Sequence, residues 1–180
     1  MLKISIGETE IFDEFSGRFI YVKPTVLKLE HSLISVSKWE SRHHKPFLGQ
    51  EEKTFEEELD YVRCMLLNDN VDESVIRSLS VSDFEAIRAY IEDGMTATTF
   101  RSNGHGRNSR EIVTSEIIYY WMTALQIPFE CEKWHLNRLL TLIRVCELKN
   151  TPSKKMKRKD QMAQQRSLNA ARRARSGSRG

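Results

Sequence analysis

Apolar and polar residues alternate one by one in two runs near the start of the chain, LKISIG from Leu2 and the longer RFIYVKPTVLKLEH from Arg18. Period-two alternation rich in Ile, Val, Phe and Tyr is the pattern of strands with one buried face, so a small β-hairpin or sheet is predicted over residues 1–31. Ser16 and Gly17 punctuate the turn before the second run. Pro24 has no N–H to give to a ladder, so its strand must lie at an edge or break there. From Leu33 the spacing lengthens. Leu33, Val36 and Trp39 recur every three residues and predict a short helix ending before Pro46. Thr54 with Glu57 three residues on makes a capping-box signature, and Phe55, Leu59, Val62 and Leu66 lay an apolar stripe on a helix over about 55–67.

Asp72 to Leu79 adds a short turn of helix, and Ser82 is read as the cap of another whose apolar face is Phe84, Ile87 and Ile91 and whose end is marked by Gly94. Residues 101–110, RSNGHGRNSR, hold two glycines and no apolar side chain, the composition of an exposed loop. Two long helical patterns follow, EIVTSEIIYYWMTALQ and EKWHLNRLLTLIRVCEL, parted by Ile127, Pro128 and Phe129. Pro128 enforces the break, and the two are expected to pack as an antiparallel helical hairpin at the centre of the core. Beyond Asn150 the aromatic and β-branched residues stop, Thr151 apart. The expected fold is α+β, mainly α. One folded domain spans 1–150, with a small N-terminal β-hairpin or sheet over 1–31 and a helical bundle over 32–150, and a basic, flexible and disordered tail spans 151–180. Within it DQMAQQRSLNAARRA has good helix formers, so the tail could become a basic helix on a partner.

Composition agrees with one domain and a tail. The 180 residues are 39% hydrophobic and 29% charged, enough apolar side chain for a core and unlike a wholly disordered chain. The net charge of +3 hides a division. Residues 151–180 carry ten cations against the single acid Asp160, a charge of +9, and leave 18 basic and 24 acidic residues, a charge of −6, in the first 150. An acidic body with a cationic arm is the pattern of an interaction arm, because a dense positive segment repels itself until it meets an anionic surface. The three cysteines, Cys64, Cys131 and Cys146, are odd in number and form no CxxC pair, which argues against a disulfide framework or a zinc ribbon and suits reduced thiols in a cytosol. MLKISIGETE lacks the apolar run of a secretory signal, and the longest apolar patch, IIYYWMTALQI, falls short of the roughly 20 residues that cross a bilayer.

Candidate chemistry is sparse. His43 and His44 stand in KWESRHHKPF, but neighbours on a helix point about 100° apart and cannot chelate one ion in the i, i+4 manner. The flanking Trp39, Pro46 and Phe47 are the better clue, since aromatic residues bracketing a charged turn pin a segment onto a core or a partner. Docking is the preferred reading, with Trp39, Pro46 and Phe47 as partner-binding residues. Cys131 and His135 make an i, i+4 half-site, yet no second half-site accompanies them, so a core-facing thiol and a histidine satisfied by a carboxylate are preferred. The glycines of NGHGR with Arg101, Arg107 and Arg110 match neither GxxxxGK[ST] nor GxGxxG, and a solvated loop explains them. No GxSxG, HExxH or paired-acid arrangement stands out, which disfavours an enzyme; no catalytic residue, cofactor or metal ligand is assigned.

The tail is the feature least well explained by solvation alone. Lys154, Lys155, Lys157, Arg158, Lys159, Arg172, Arg173 and Arg175 are its candidate partner-binding residues. On duplex DNA each neutralised phosphate contributes about −0.9 to the log–log salt slope, so five contacts would give strong nonspecific binding at low salt. The tail has no aromatic residue for base stacking, and an acidic protein surface, including another copy's body, would serve equally well.

KWESRHHKPF, together with SEIIYYWMTALQIPFECEKWHLNRLLTLIRVCELKN and the closing QQRSLNAARRARSGSRG, resembles a family of small proteins encoded by tailed bacteriophages among genes for virion and tail morphogenesis, described as tail assembly chaperones or as uncharacterised. The resemblance covers nearly the whole chain. The family's motif often has other residues where this chain has Arg42 to His44, which weakens the metal reading further. Membership implies no catalytic residues and no cofactor, expression in the infected bacterial cytoplasm, and a tail or virion protein as partner. Two other readings stay open: a structural component retained in the virion at a capsid or tail junction, and a nucleic-acid-binding protein acting through the tail, with the body as an oligomerisation unit.

Overall fold

The computed structural model describes residues 1–13, 17–100, 112–150 and 158–177. The fold is α+β and mainly α, as the periodicities predict. Strands β1 (Leu2–Ile6), β2 (Thr9–Asp13), β3 (Arg18–Val22) and β4 (Thr25–Leu29) form two antiparallel pairs, β1 with β4 and β2 with β3. Both pairs share one register. Leu2 faces Leu29, Ile6 faces Thr25, Thr9 faces Val22 and Phe12 faces Phe19, so continuing the count through the gap sets Gly7 opposite Pro24 and Glu8 opposite Lys23. Pro24 breaks the ribbon, as its missing N–H requires. In the inner half the alternation is complete: Ile4, Ile6, Leu27 and Leu29 are buried, while Lys3, Ser5, Val26 and Lys28 face out.

The outer edge of β4 is covered from further along the chain. Glu30 N–H donates to the Met65 carbonyl (3.0 Å) and Leu67 N–H to that of Lys28 (2.9 Å). The Asn68 side chain continues the ladder, accepting from Lys28 N–H (2.7 Å) and donating to the Val26 carbonyl (3.0 Å). An otherwise open strand edge is thereby closed.

Helix α1 (Leu33–His43) begins at Ser32, whose hydroxyl accepts from Ser35 N–H while the Ser35 hydroxyl accepts from Ser32 N–H. It ends at His44, left-handed at φ 52°, two residues before Pro46. Helix α2 (Phe55–Met65) carries the expected Thr54/Glu57 capping box. Asp72 caps the short α3 (Glu73–Arg77). Helix α4 (Val81–Glu92) starts two residues earlier than expected: its cap is Ser80, boxed with Asp83, not Ser82. The helices α5 (Ser115–Ala124) and α6 (Leu136–Asn150) flank a 3-10 turn over Phe129–Lys133 that Pro128 introduces. Both α5 and the turn approach α1 closely along the backbone. Leu136 N–H, at the start of α6, donates to the His31 carbonyl (2.7 Å), fastening that helix to the second residue after β4.

The core is built from Leu27 and Leu29 of β4, Leu33, Val36 and Trp39 of α1, Met65 of α2, Ile118 and Met122 of α5, and Leu136 and Leu139 of α6. Met1–Glu147 is one compact unit, and Leu148–Gly180 is a second. Within the second, Arg158–Ser176 is helical (α7), where the sequence predicts a flexible tail able to become helical. Ala, Gln, Met and Arg are strong helix formers, and no glycine or proline interrupts them there. The glycine-containing loop at 101–110 lies outside the described residues.

Candidate functional site

The segment that ends α1 is tied down on several sides. The Trp39 indole N–H donates to the Glu57 carbonyl (2.9 Å). Phe47 stacks on Tyr61 with ring centroids 4.0 Å apart and meets Trp39 edge-on at 5.3 Å. Trp39 is 1% exposed and Phe47 9%, and Pro46 is half-buried. Trp39 and Phe47, read as partner-binding residues, are thus buried here and dock the segment onto the protein's own core. Behind them lies Glu40, buried, whose Oε1 accepts from Phe47 N–H (2.8 Å) and Oε2 from Ser115 N–H (2.7 Å). One carboxylate thus holds the loop after α1 and supplies an acceptor at the first turn of α5, where Thr114 gives no side-chain cap.

The paired histidines diverge. His43 lies against Trp39 (4.5 Å) with Nε2 3.0 Å from Asp60 Oδ2, while His44 is the exposed left-handed cap of α1. Arg42 and Arg63 reach the same Asp60 carboxylate, and Lys45 donates to Glu57 (2.7 Å). That contact and the Thr54 N–H hold the Glu57 carboxyl down to about 2. Among the described residues no group of three or more His, Cys, Asp or Glu is placed to hold a metal ion.

Cys131 and His135 do not share a helical face. Cys131 is in the 3-10 turn and His135 precedes α6. Both are buried, and burial pushes the Cys131 thiol up, away from the nucleophilic thiolate. The partner of His135 is the Tyr90 carbonyl, at 2.9 Å from Nε2, rather than the expected carboxylate. A carbonyl only accepts, so Nε2 is the donor of this bond. Among the described residues His135 Nδ1 is the one buried side-chain polar atom without a partner.

Next to it is a residue the sequence reading passes over. His31 is buried with its ring 5.1 Å from that of His135, and its Nδ1 lies 2.5 Å from the Tyr61 hydroxyl. Burial, and then His135, push His31 down to about 3, so it is neutral wherever the protein is folded near neutral pH. The Tyr90 hydroxyl, nearby in the same layer, donates to Glu30 (2.7 Å), which also pairs with the Met1 amino group (2.8 Å).

The exposed features lie elsewhere. On the β2–β3 ribbon Phe12 and Phe19 pair edge-on across the strands (5.2 Å) and are mostly exposed, Phe19 at 70%, with Tyr21 exposed on the same face. On α7, Arg166 and Arg173 stand seven residues apart, two turns along one stripe, and Arg172, Arg173 and Arg175 are exposed. Arg158 and Lys159 open that helix, and Lys154, Lys155 and Lys157 lie outside the described residues. Among the described residues no helix is long and apolar enough to cross a membrane. No protein-family model matches the chain, and neither a curated protein nor a solved structure matches it.

Proposed function

We propose that the protein is a non-enzymatic morphogenesis factor of a tailed bacteriophage, a tail assembly chaperone that holds a tail protein before it polymerises. The sequence resemblance supplies the phage setting and with it the infected bacterial cytoplasm. The observation that carries the binding role is the pair of exposed contact elements, the aromatic face of the β2–β3 ribbon and the cationic helix α7. A tail subunit before assembly exposes strand edges and apolar patches that aggregate unless covered. A two-stranded ribbon bearing Phe12, Phe19 and Tyr21 offers both an apolar face and strand edges to such a client. The helix α7 holds an acidic surface through charge alone, and contact of that kind weakens as salt rises, which permits release.

Pull-down of the tagged chain from infected cells tests this. A tail protein recovered at low salt and released at higher salt supports it, and recovery of no tail or virion protein removes it. Mass spectrometry of purified virions separates the chaperone, absent from the particle, from a structural component retained at a junction. The Arg166/Arg173 stripe favours nucleic acid as the second reading. Gel shifts of the full chain at low and moderate salt, repeated with Arg172, Arg173 and Arg175 changed to glutamate, decide it: no shift, or a shift the changes leave alone, ends that reading.

A further inference from the structure

We infer that the cleft between α2 and α4 is a docking pocket for a branched aliphatic side chain of a partner protein whose neighbouring residue carries a carboxylate. Tyr61 and Val62 of α2 form one wall, Phe84, Ile87 and Ile91 of α4 the other, and Phe47 closes the end, around a cavity of about 100 Å³. A buried apolar cavity of roughly 150 Å³ accepts benzene, so this one suits a leucine- or valine-sized group. Its apolar surface continues outside the mouth. Phe55 is 61% exposed and touches Phe84 ring to ring (5.7 Å), and Val81, 77% exposed, precedes Phe84 by one turn on the same stripe. A small molecule would leave that shelf bare; a chain segment covers it.

Charge selects the segment. At the rim Glu58 is already occupied, with both carboxylate oxygens on Arg88 Nη2 (2.9 and 3.1 Å). Lys53 is not: its Nζ rests over the rings of Phe47 (4.5 Å to the centroid) and Trp39 (5.8 Å), and among the described residues it meets no carboxylate within ion-pair distance. The ring faces hold the ammonium beside the pocket wall while leaving its charge uncompensated. A carboxylate one residue from the inserted side chain completes that site.

This inference rests on the binding reading above and names the client feature it would use. The test titrates the full chain, observed by methyl and amide NMR, with Ac-Gly-Asp-Leu-Gly-NH2 and with its Asn counterpart at low salt. The Asp peptide is expected to shift Val62, Ile87 and Ile91, and to bind about two- to fivefold more tightly than the Asn peptide, the worth of one exposed ion pair. Lys53→Gln, at a half-exposed position, should keep the shifts and abolish the preference. Absence of shifts at those three residues with both peptides, equal binding of the two, or a preference that survives Lys53→Gln overturns the inference. A failed titration beside a pull-down that returns a tail protein removes the pocket alone, whereas a successful titration beside an empty pull-down removes the tail-protein reading alone.

Discussion

Glu40 and His31 show how much depends on single buried groups. The Glu40 carboxylate satisfies two backbone N–H groups 68 residues apart in the chain, those of Phe47 and Ser115. Glu40→Ala strands both donors inside the protein, and a loss of about 2–4 kcal/mol in urea unfolding is expected, against under about 0.5 kcal/mol for exposed Glu85→Ala. His31 binds its proton near pH 3 when folded and near 6.5 when unfolded. As pH falls below 6.5 the unfolded chain protonates first, so the stability present above 6.5 drains away on the way to 3. Between pH 6.5 and about 5 the loss should be roughly 2 kcal/mol, measured as a falling denaturant midpoint. The depressed carboxyl of Glu57 acts in the same direction only below its ordinary 4.5, so the upper window belongs to histidine. His31→Gln should flatten the profile there; an unchanged slope would assign it to another group.

Among the elements, α4 carries a test of how helix starts are chosen. The sequence analysis places the cap at Ser82, next to the apolar stripe that begins at Phe84. The fold uses Ser80, whose hydroxyl accepts from Asp83 N–H, and Phe84 further along that helix lines the cleft. Ser80→Ala should cost about 1 kcal/mol and Ser82→Ala a few tenths, read by thermal or urea melts. Where a signal was complete within a few residues, as for Thr54 and Glu57, Pro24 and the alternation of β1 and β4, it was legible in the sequence. What needed distant partners was not. His31 and His135 lie 104 residues apart, Glu40 and Ser115 lie 75 apart, and no local spacing announces either pairing. Trp39 and Phe47 were visible as anchors, yet an anchor's residue type does not say whether it points into its own core or out to another chain.

For the whole molecule, the division of charge sets the expected behaviour: −6 over residues 1–150 and +9 over 151–180. Binding through the arm should lose strength as salt approaches 0.5 M, about three times physiological, while peptide binding at Val62, Ile87 and Ile91 should persist in its apolar part. A client interaction indifferent to salt would place the contact on the ribbon or the cleft instead. The β2–β3 ribbon tolerates such use because Phe12 and Phe19 contribute little to the core, so Phe19→Ser should leave the melting temperature within a few degrees while weakening client capture. Their outward stance is not set locally, however. Since a single pairing count runs from Leu2 to Asp13 and back from Arg18 to Leu29, the tip is geared to the root like teeth on one shaft. One extra residue inserted at Glu8 would leave Ile4 and Leu27 seated and β3 in step with β4, yet turn the β2 side chains over, sending Phe12 to the side that now carries Ile11 and away from Phe19.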